Sequence, residues 1–386
     1  MLEETYAHSP IRKMFNQADV YGVGFDPERV SRKKVRLGII GAGGVAVSKH
    51  WPAIKRLQTI WEPVEVVAFA RRDERAGRAI AETWGGRWYK DYGRMLKEEH
   101  LDAVLILSPN DRHTEHAIAC IEKGLPALIE KPFSLSLVDG LKVCRLAEER
   151  NVPLMAVANK RYSPPYRRAK RFLDEGVVRH PVMFAGKFNL DYDYVVHLLE
   201  AGTIHLFDLA RFFMGDVATL HAVGVNKFRA NKRLYPFDNV KITFEFASGA
   251  VGQLFSSGTA LSLKPWERVE IYGEKPWLAD EDQWELLLYD SEQNGTRSWR
   301  PIVPNTLMFD EEFGGFMGLI ENFLQVVHGA ERPLVTGWDG LRAYELDVAT
   351  LIAFKRRATV ELPLEPAEAD AERKAIVDYS RSVSWE

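Results

Sequence analysis

Short apolar runs alternate with stretches of helical periodicity along the first part of the chain. Val35–Ile40 (VRLGII) reads as a strand, is followed by Gly41, Gly43 and Gly44, and gives way to a helix-forming stretch from Val45 towards Leu57. Val64–Ala70 (VEVVAFA) is a second strand, and 73–84 is a helix with Ala76, Ala79 and Ile80 on one side. A short element near Trp88 and Tyr89, a helix over 92–99, a strand over 103–107 and a helix over 113–123, stopped by Gly124, continue the alternation. Ala127–Ile129, a helix over 135–150 and a strand over 154–157 complete it. Strands apolar on both faces belong in a parallel sheet covered by helices, and right-handed crossovers make that sheet doubly wound.

After Asn159 the pattern changes. Pro164 and Pro165 open a basic helix reaching about Glu175, a strand follows over 182–189, and 197–214 is helical. Strands over 218–227, 240–247, 250–257 and 268–273 come with few helices between them. The tight turn at 247–250 joins neighbours into an antiparallel sheet. Two late helices, 311–328 and 337–357, and a charged tail with a short helix end the chain. The predicted architecture is α/β: an arm over 1–34, a doubly wound Rossmann domain over 35–158, an α+β domain with an open, mostly antiparallel sheet over 159–365, and a tail over 366–386.

At 386 residues the chain exceeds one ordinary core. A formal net charge of −3, from 51 Lys+Arg against 54 Asp+Glu, implies no basic face and argues against a nucleic-acid partner. Cys120 and Cys144 fall in helical segments and are expected as buried free thiols, which suits a reducing cytoplasm. The first 34 residues carry no apolar core of a signal peptide, and no run of about 20 apolar residues predicts a membrane span.

The chemistry concentrates at strand ends. Strand, glycine turn and helix in that order make a pyrophosphate site: Gly41 allows the tight turn, Gly43 lets backbone approach phosphate, and Gly44, Val45 and Ala46 lead into a helix whose N–H groups face the anion. The second strand ends at Arg71 and Arg72, where a carboxylate would bind ribose hydroxyls; guanidinium groups there pair a 2′-phosphate, so NADP is favoured over NAD. The alternative leaves both arginines solvated and Asp73 capping the next helix. Ser108, Pro109 and Asn110 end a strand beside the expected cofactor, with His113 either ordering that loop or taking part in the chemistry. Glu130, Lys131 and Pro132 follow the fifth strand. The Lys131 ammonium can stabilise a developing alkoxide and assist proton transfer, with Glu130 as its partner. His205 and Asp208 share a helix face, and His197 falls near it. His205 is a candidate acid/base group, and Asp208 would orient it or bind a hydroxyl. The histidines have no metal-ligand spacing, so no metal is expected. Arg161, Tyr162 and Tyr194 are candidates for the substrate wall.

Together the glycine turn, Ser108-Pro109-Asn110 with His113, Glu130-Lys131-Pro132, the run Asn159-Lys160-Arg161-Tyr162-Ser163-Pro164 and His205-Leu206-Phe207-Asp208 resemble the Gfo/Idh/MocA family of oxidoreductases, from about Val35 to Arg357. Some spacings are closer to the MviM-like branch. The resemblance implies hydride transfer between NAD(P) and a sugar, cyclitol or related polyol, a dimer or tetramer formed through the C-terminal sheet, and catalytic roles for Lys131 and His205. One position departs from the family: many active members carry Asp four residues before the histidine, where this chain has Ala201. Glu200, one residue off, points about 100° away on an ideal helix; an irregular turn brings it in, or the proton relay is altered, or the chemistry differs. Two other readings stay open, a glycoside hydrolase using transient oxidation by bound NAD and a non-catalytic dinucleotide sensor.

Overall fold

The computed structural model describes residues 33–59, 62–189, 198–226, 236–260, 266–281, 285–290, 295–299 and 314–382. Strands β1 (Val35–Ile40), β2 (Val64–Ala70), β3 (Arg87–Tyr89), β4 (Ala103–Ile106), β5 (Ala127–Ile129) and β6 (Leu154–Ala156) form one parallel sheet in the order β3-β2-β1-β4-β5-β6. Their apolar runs are buried on both faces, with Leu37, Ile39, Val104, Leu105 and Leu128 fully enclosed, as parallel strands covered by helices must be. The helices between them are α1 (Trp51–Thr59), α2 (Glu74–Trp84), α3 (Tyr92–Glu98), α4 (His113–Ile121) and α5 (Leu137–Glu149). Asp73 caps α2 by accepting from the Ala76 N–H at 2.8 Å, and Ser136 caps α5. Cys120 and Cys144 are buried free thiols, and burial pushes both up to about 12.

The second sheet has nine strands in the order β14-β13-β12-β11-β7-β10-β9-β8-β15. These are β7 (Met183–Asn189), β8 (Val217–Val225), β9 (Asn239–Phe246), β10 (Val251–Ser257), β11 (Glu267–Tyr272), β12 (Trp277–Glu281), β13 (Glu285–Asp290), β14 (Gly295–Trp299) and β15 (Val360–Glu361). All neighbours run antiparallel except β7 and β10. In β9 Val240, Ile242, Phe244 and Phe246 face inward while Lys241, Thr243 and Glu245 are exposed. Each such buried side chain contributes roughly 1.5–3 kcal/mol. The strands from β12 onward have no counterpart in the expectation. They are short, with Leu278, Ala279, Leu286 and Leu288 buried, and Tyr272, Trp277 and Tyr289 stack along them at centroid spacings of 5.0 and 3.9 Å.

Helices α6 (Pro164–Asp174), α7 (Ile204–Met214), α8 (Phe316–Val327), α9 (Gly337–Arg356) and α10 (Pro366–Ser382) complete the described elements. Helix α9 carries a capping box between Thr336 and Asp339, packs on α7 and β8, and reaches β6 and α5 of the first sheet's layer. The expected short tail helix is 17 residues long. It lies against α5 and α9, because its charges find partners there: Asp370 accepts from the N–H groups of Leu137 and Val138 at the start of α5, and Glu372 pairs with Arg356.

Candidate active site

Strands β1, β4 and β5 are neighbours at the centre of the parallel sheet, and their carboxyl ends release three loops side by side. Backbone bonds continue the sheet into each loop: Leu107 N–H donates to Ile40 O at 2.8 Å and Glu130 N–H to Ile106 O at 2.9 Å. Strand order reverses between β1 and β4, the crevice where open α/β sheets bind ligands.

The first loop has room for a dinucleotide. Gly41 has φ +96°, and an added Cβ would meet Ser108 Cα and N at 2.4 Å, so the turn must be glycine. At Gly43 and Gly44 an added Cβ meets nothing within 4 Å, so the backbone there faces open space. The helix that follows starts as a π turn over Ala46–His50 and becomes α-helical only from Trp51. Arg71 folds back and donates from Nη1 to Ala42 O, while Arg72 is exposed and the Asp73 carboxylate is taken by the α2 cap. Two arginines, and an exposed Asp73 with one carboxylate oxygen engaged by the cap, therefore stand at the tip of β2. These residues fit a dinucleotide: a glycine turn open to a diphosphate, a helix start behind it and guanidinium groups at the far end.

The second loop is locked from behind. Ser108 Oγ contacts His116 Nδ1 at 2.8 Å, while Pro109 and Asn110 are exposed at the rim. Of the two roles expected of His113, ordering the loop or taking part in the chemistry beside the cofactor, the geometry matches the first. Its ring is fully buried between loops, with Nδ1 2.8 Å from Pro132 O and Nε2 2.9 Å from Ser108 O. It ties the β4 loop to the β5 loop. Burial pushes its pKa down against the pull of the two carbonyls.

Glu130 and Lys131 differ from the expected ion pair. Glu130 Oε1 lies 2.9 Å from His50 Nε2, and Glu130 Oε2 accepts from the Lys131 backbone N–H at 2.8 Å. Burial pushes the Glu130 carboxyl up, but the His50 hydrogen bond and charge and the Lys131 charge outweigh it and leave it below its usual value. His50 was not singled out from the sequence. It lies on the buried face with Ala46, Ala53, Ile54 and Leu57, and its partner Glu130 is 80 positions away.

The Lys131 ammonium donates to Ala201 O at 2.8 Å and Glu200 O at 3.3 Å. Both carbonyls belong to a second π turn, Leu199–Thr203, at the start of α7. Burial lowers the Lys131 pKa, opposed by the Glu130 and Glu200 charges. Lys131 and His205 line one cavity of about 20 Å³, with Phe133, Ala158 and Asp208 in its wall; a cavity of roughly 10–15 Å³ already holds one water. Burial, then the Lys160 and Lys131 charges, hold the His205 pKa well below its usual value, so the ring is neutral. The irregular turn is present, yet the Glu200 carboxylate bonds Arg373 Nη2 at 2.8 Å.

Three further expectations meet different geometry. Asp208 does not orient His205: its carboxylate takes the Arg161 guanidinium in a two-pronged pair, with contacts of 2.7 to 3.0 Å. Arg161 also reaches Asp339 at 3.2 Å, so both ends are used within the fold and Arg161 is no free substrate wall. Tyr162 is buried, and its hydroxyl donates to Asn322 Oδ1 at 2.9 Å. Tyr194 and His197 lie outside the described residues.

Comparison with known proteins bears on the family and the fold. Residues 35–158 match the Gfo/Idh/MocA model described as an oxidoreductase family with an NAD-binding Rossmann fold, and 197–362 match the model of the same family's C-terminal alpha/beta domain. The chain is 27% identical over 323 residues to a D-apiose dehydrogenase of Paraburkholderia graminis, covering 80% of this chain and 85% of the relative. It is 26% identical over 341 residues to a myo-inositol 2-dehydrogenase of Thermotoga maritima, covering 85% and 98%. A levoglucosan dehydrogenase solved in complex with NADH superposes with a TM-score of 0.78 at 19% identity, covering 86% of this chain and 100% of that one. Among the described residues no helix is long and apolar enough to cross a membrane. With both of its domains matched in order, the chain belongs to the Gfo/Idh/MocA family of NAD-binding oxidoreductases.

Proposed function

We propose that this protein is an NAD(P)-dependent dehydrogenase that oxidises or regenerates a CH–OH group on a sugar, cyclitol or similar polyol. The observation that carries the reading is the placement of the Lys131 ammonium: it lies past the carboxyl end of β5, one strand from the switch point, held by two carbonyls, on the same cavity as a neutral His205. Bound NAD(P) would supply the two-electron acceptor or donor. Lys131 would stabilise the oxygen of the reacting carbon. His205, neutral in its buried setting, would accept the hydroxyl proton during oxidation and return it during reduction. The names of the relatives, D-apiose and myo-inositol dehydrogenases, support the substrate class.

Arg71 and Arg72, with Asp73 used as a cap, favour NADP over NAD. Val223, Val225, Val251 and Phe255 are exposed on the outer face of the second sheet, which supports a homodimer or homotetramer formed through that face. The two buried free thiols suit a cytoplasmic setting. Fluorescence titration with NADPH and NADH, followed by turnover with D-apiose, myo-inositol and levoglucosan, tests the proposal. NADPH is expected to bind at least about tenfold tighter, a difference of about 1.4 kcal/mol. Binding of neither nucleotide overturns the dehydrogenase reading; binding without turnover across a broad polyol panel turns it into the sensor reading.

A further inference from the structure

Helix α10 lies beyond both segments matched by the family models, yet one of its side chains reaches the surroundings of Lys131. Arg373 Nη2 donates to Glu200 Oε1 at 2.8 Å, with both side chains largely buried. The backbone of that same Glu200, with that of Ala201, receives the Lys131 ammonium. One residue thus presents its carboxylate to Arg373 and its carbonyl to Lys131.

Helix α10 is anchored where such a link needs rigidity. Asp370 accepts from Leu137 N–H at 2.8 Å, Val138 N–H at 3.0 Å and Ser136 Oγ at 2.8 Å, at the start of the helix that follows the Lys131 loop. Arg356 Nε donates to Glu372 at 3.0 Å. The helix therefore grips both sides of the Lys131 cavity, the segment leaving its loop and the turn facing it.

The charges around this link are few. Lys131 is faced by Glu130 on its own loop, Lys160 of the 3-10 turn Asn159–Tyr162, Glu200, and His205 on α7. Glu200 is faced by Arg373 and by Asp347 and Tyr344 of α9, and the Arg373 guanidinium lies 5.6 Å from the Tyr344 ring centroid. Asp347 is fully buried, and neither of its carboxylate oxygens has a hydrogen-bond partner among the described residues. Burial, then the Glu200 charge, pushes its pKa well up, and the Arg373 hydrogen bond goes to Glu200.

We propose that Arg373 is a positioning residue for Lys131, acting through Glu200: it fixes the turn that receives the ammonium and balances the carboxylate beside it. The proposal rests on the reading of Lys131 as the reacting amine, and its test is chosen to stand apart from that reading. Competitive labelling of the full chain with acetic anhydride, read by mass spectrometry with exposed Lys97 as internal reference, reports the reactivity of Lys131 without any substrate. Glu200→Gln removes a charge that favours the ammonium, so Lys131 should label at least about threefold faster. Arg373→Ala should change the rate by at least about the same factor, and Arg373→Lys should return it towards wild type. Because Arg373 acts through Glu200, adding Arg373→Ala to Glu200→Gln should change the rate by less than about twofold. A rate unmoved by either single change, or effects that multiply in the double variant, would overturn the proposal. If Arg373→Ala does not fold, Arg373→Gln replaces it, and the isosteric Glu200→Gln decides in the same way. Turnover of the polyol panel, lost in Lys131→Met, reads the dehydrogenase assignment separately.

Discussion

Gly41 and Gly43 are two residues apart in one turn, and the geometry predicts opposite consequences for a single methyl group. At Gly43 the backbone φ is not left-handed and an added Cβ meets nothing within 4 Å. Gly43→Ala should therefore leave stability within about 0.5 kcal/mol of wild type, as surface substitutions do. The methyl would instead occupy the space where a diphosphate approaches the backbone. Losing one hydrogen bond to a charged group costs about 1.5–3 kcal/mol, so NADH affinity should fall by roughly 10- to 150-fold. At Gly41 the φ of +96° and the 2.4 Å approach to Ser108 put the cost into folding. A left-handed residue with a Cβ costs about 1–2 kcal/mol, and overpacking adds about 1–3 kcal/mol. Gly41→Ala should therefore lose about 2–5 kcal/mol in urea denaturation. Urea melts and NADH fluorescence titrations on both variants make the comparison. NADH binding to Gly43→Ala within twofold of wild type would refute the placement of the diphosphate, and a large loss of stability in that variant would refute the open space.

Two further predictions concern the histidines behind the loops. His50→Ala leaves the buried Glu130 carboxylate without its side-chain partner; it should cost about 1.5–3 kcal/mol, with His50→Gln recovering part of the loss, and an unchanged denaturation midpoint for the alanine variant would contradict the pairing. His116 is pushed down to about 4, chiefly by burial. The unfolded chain therefore binds the proton first: this residue's stabilisation is complete above about 6.5 and is lost as pH falls through about 4. Stability measured between these values should fall less steeply in His116→Gln than in wild type, and parallel curves would count against the assignment.

How much of this was legible in the sequence depended on how far apart the interacting residues stand. The glycine turn, the loop ending β4 and Lys131 were readable because each follows a short apolar strand, and the order of strands places their ends together. His205 was readable from its helix position. His50 was not, because its partner Glu130 stands 80 positions away and a histidine on an apolar helix face does not show what it meets. Glu200 stands one residue out of step, in the π turn over Leu199–Thr203, where the 3.6-residue period breaks. Its partner Arg373 stands 173 residues away, and no local rule pairs them. Asp208 looked like a site residue from the helix face it shares with His205, and Arg161 as part of the substrate wall, yet a buried guanidinium and carboxylate 47 positions apart satisfied each other first. Strands β12 to β14 escaped notice because each is only five or six residues long, and so short a run, even the apolar Leu286–Tyr289, becomes strand only once neighbouring strands pair with it.

The central claim is that the ammonium at the end of β5 performs the chemistry while the glycine turn holds the coenzyme. Lys131→Met separates the two in one protein. NADPH and NADH titrations on the variant should give dissociation constants within about twofold of wild type, while turnover of D-apiose, myo-inositol or levoglucosan, whichever the wild type accepts, should fall by at least about 10³-fold, a loss of about 4 kcal/mol in transition-state stabilisation. Turnover retained by Lys131→Met with the coenzyme still bound would contradict the account.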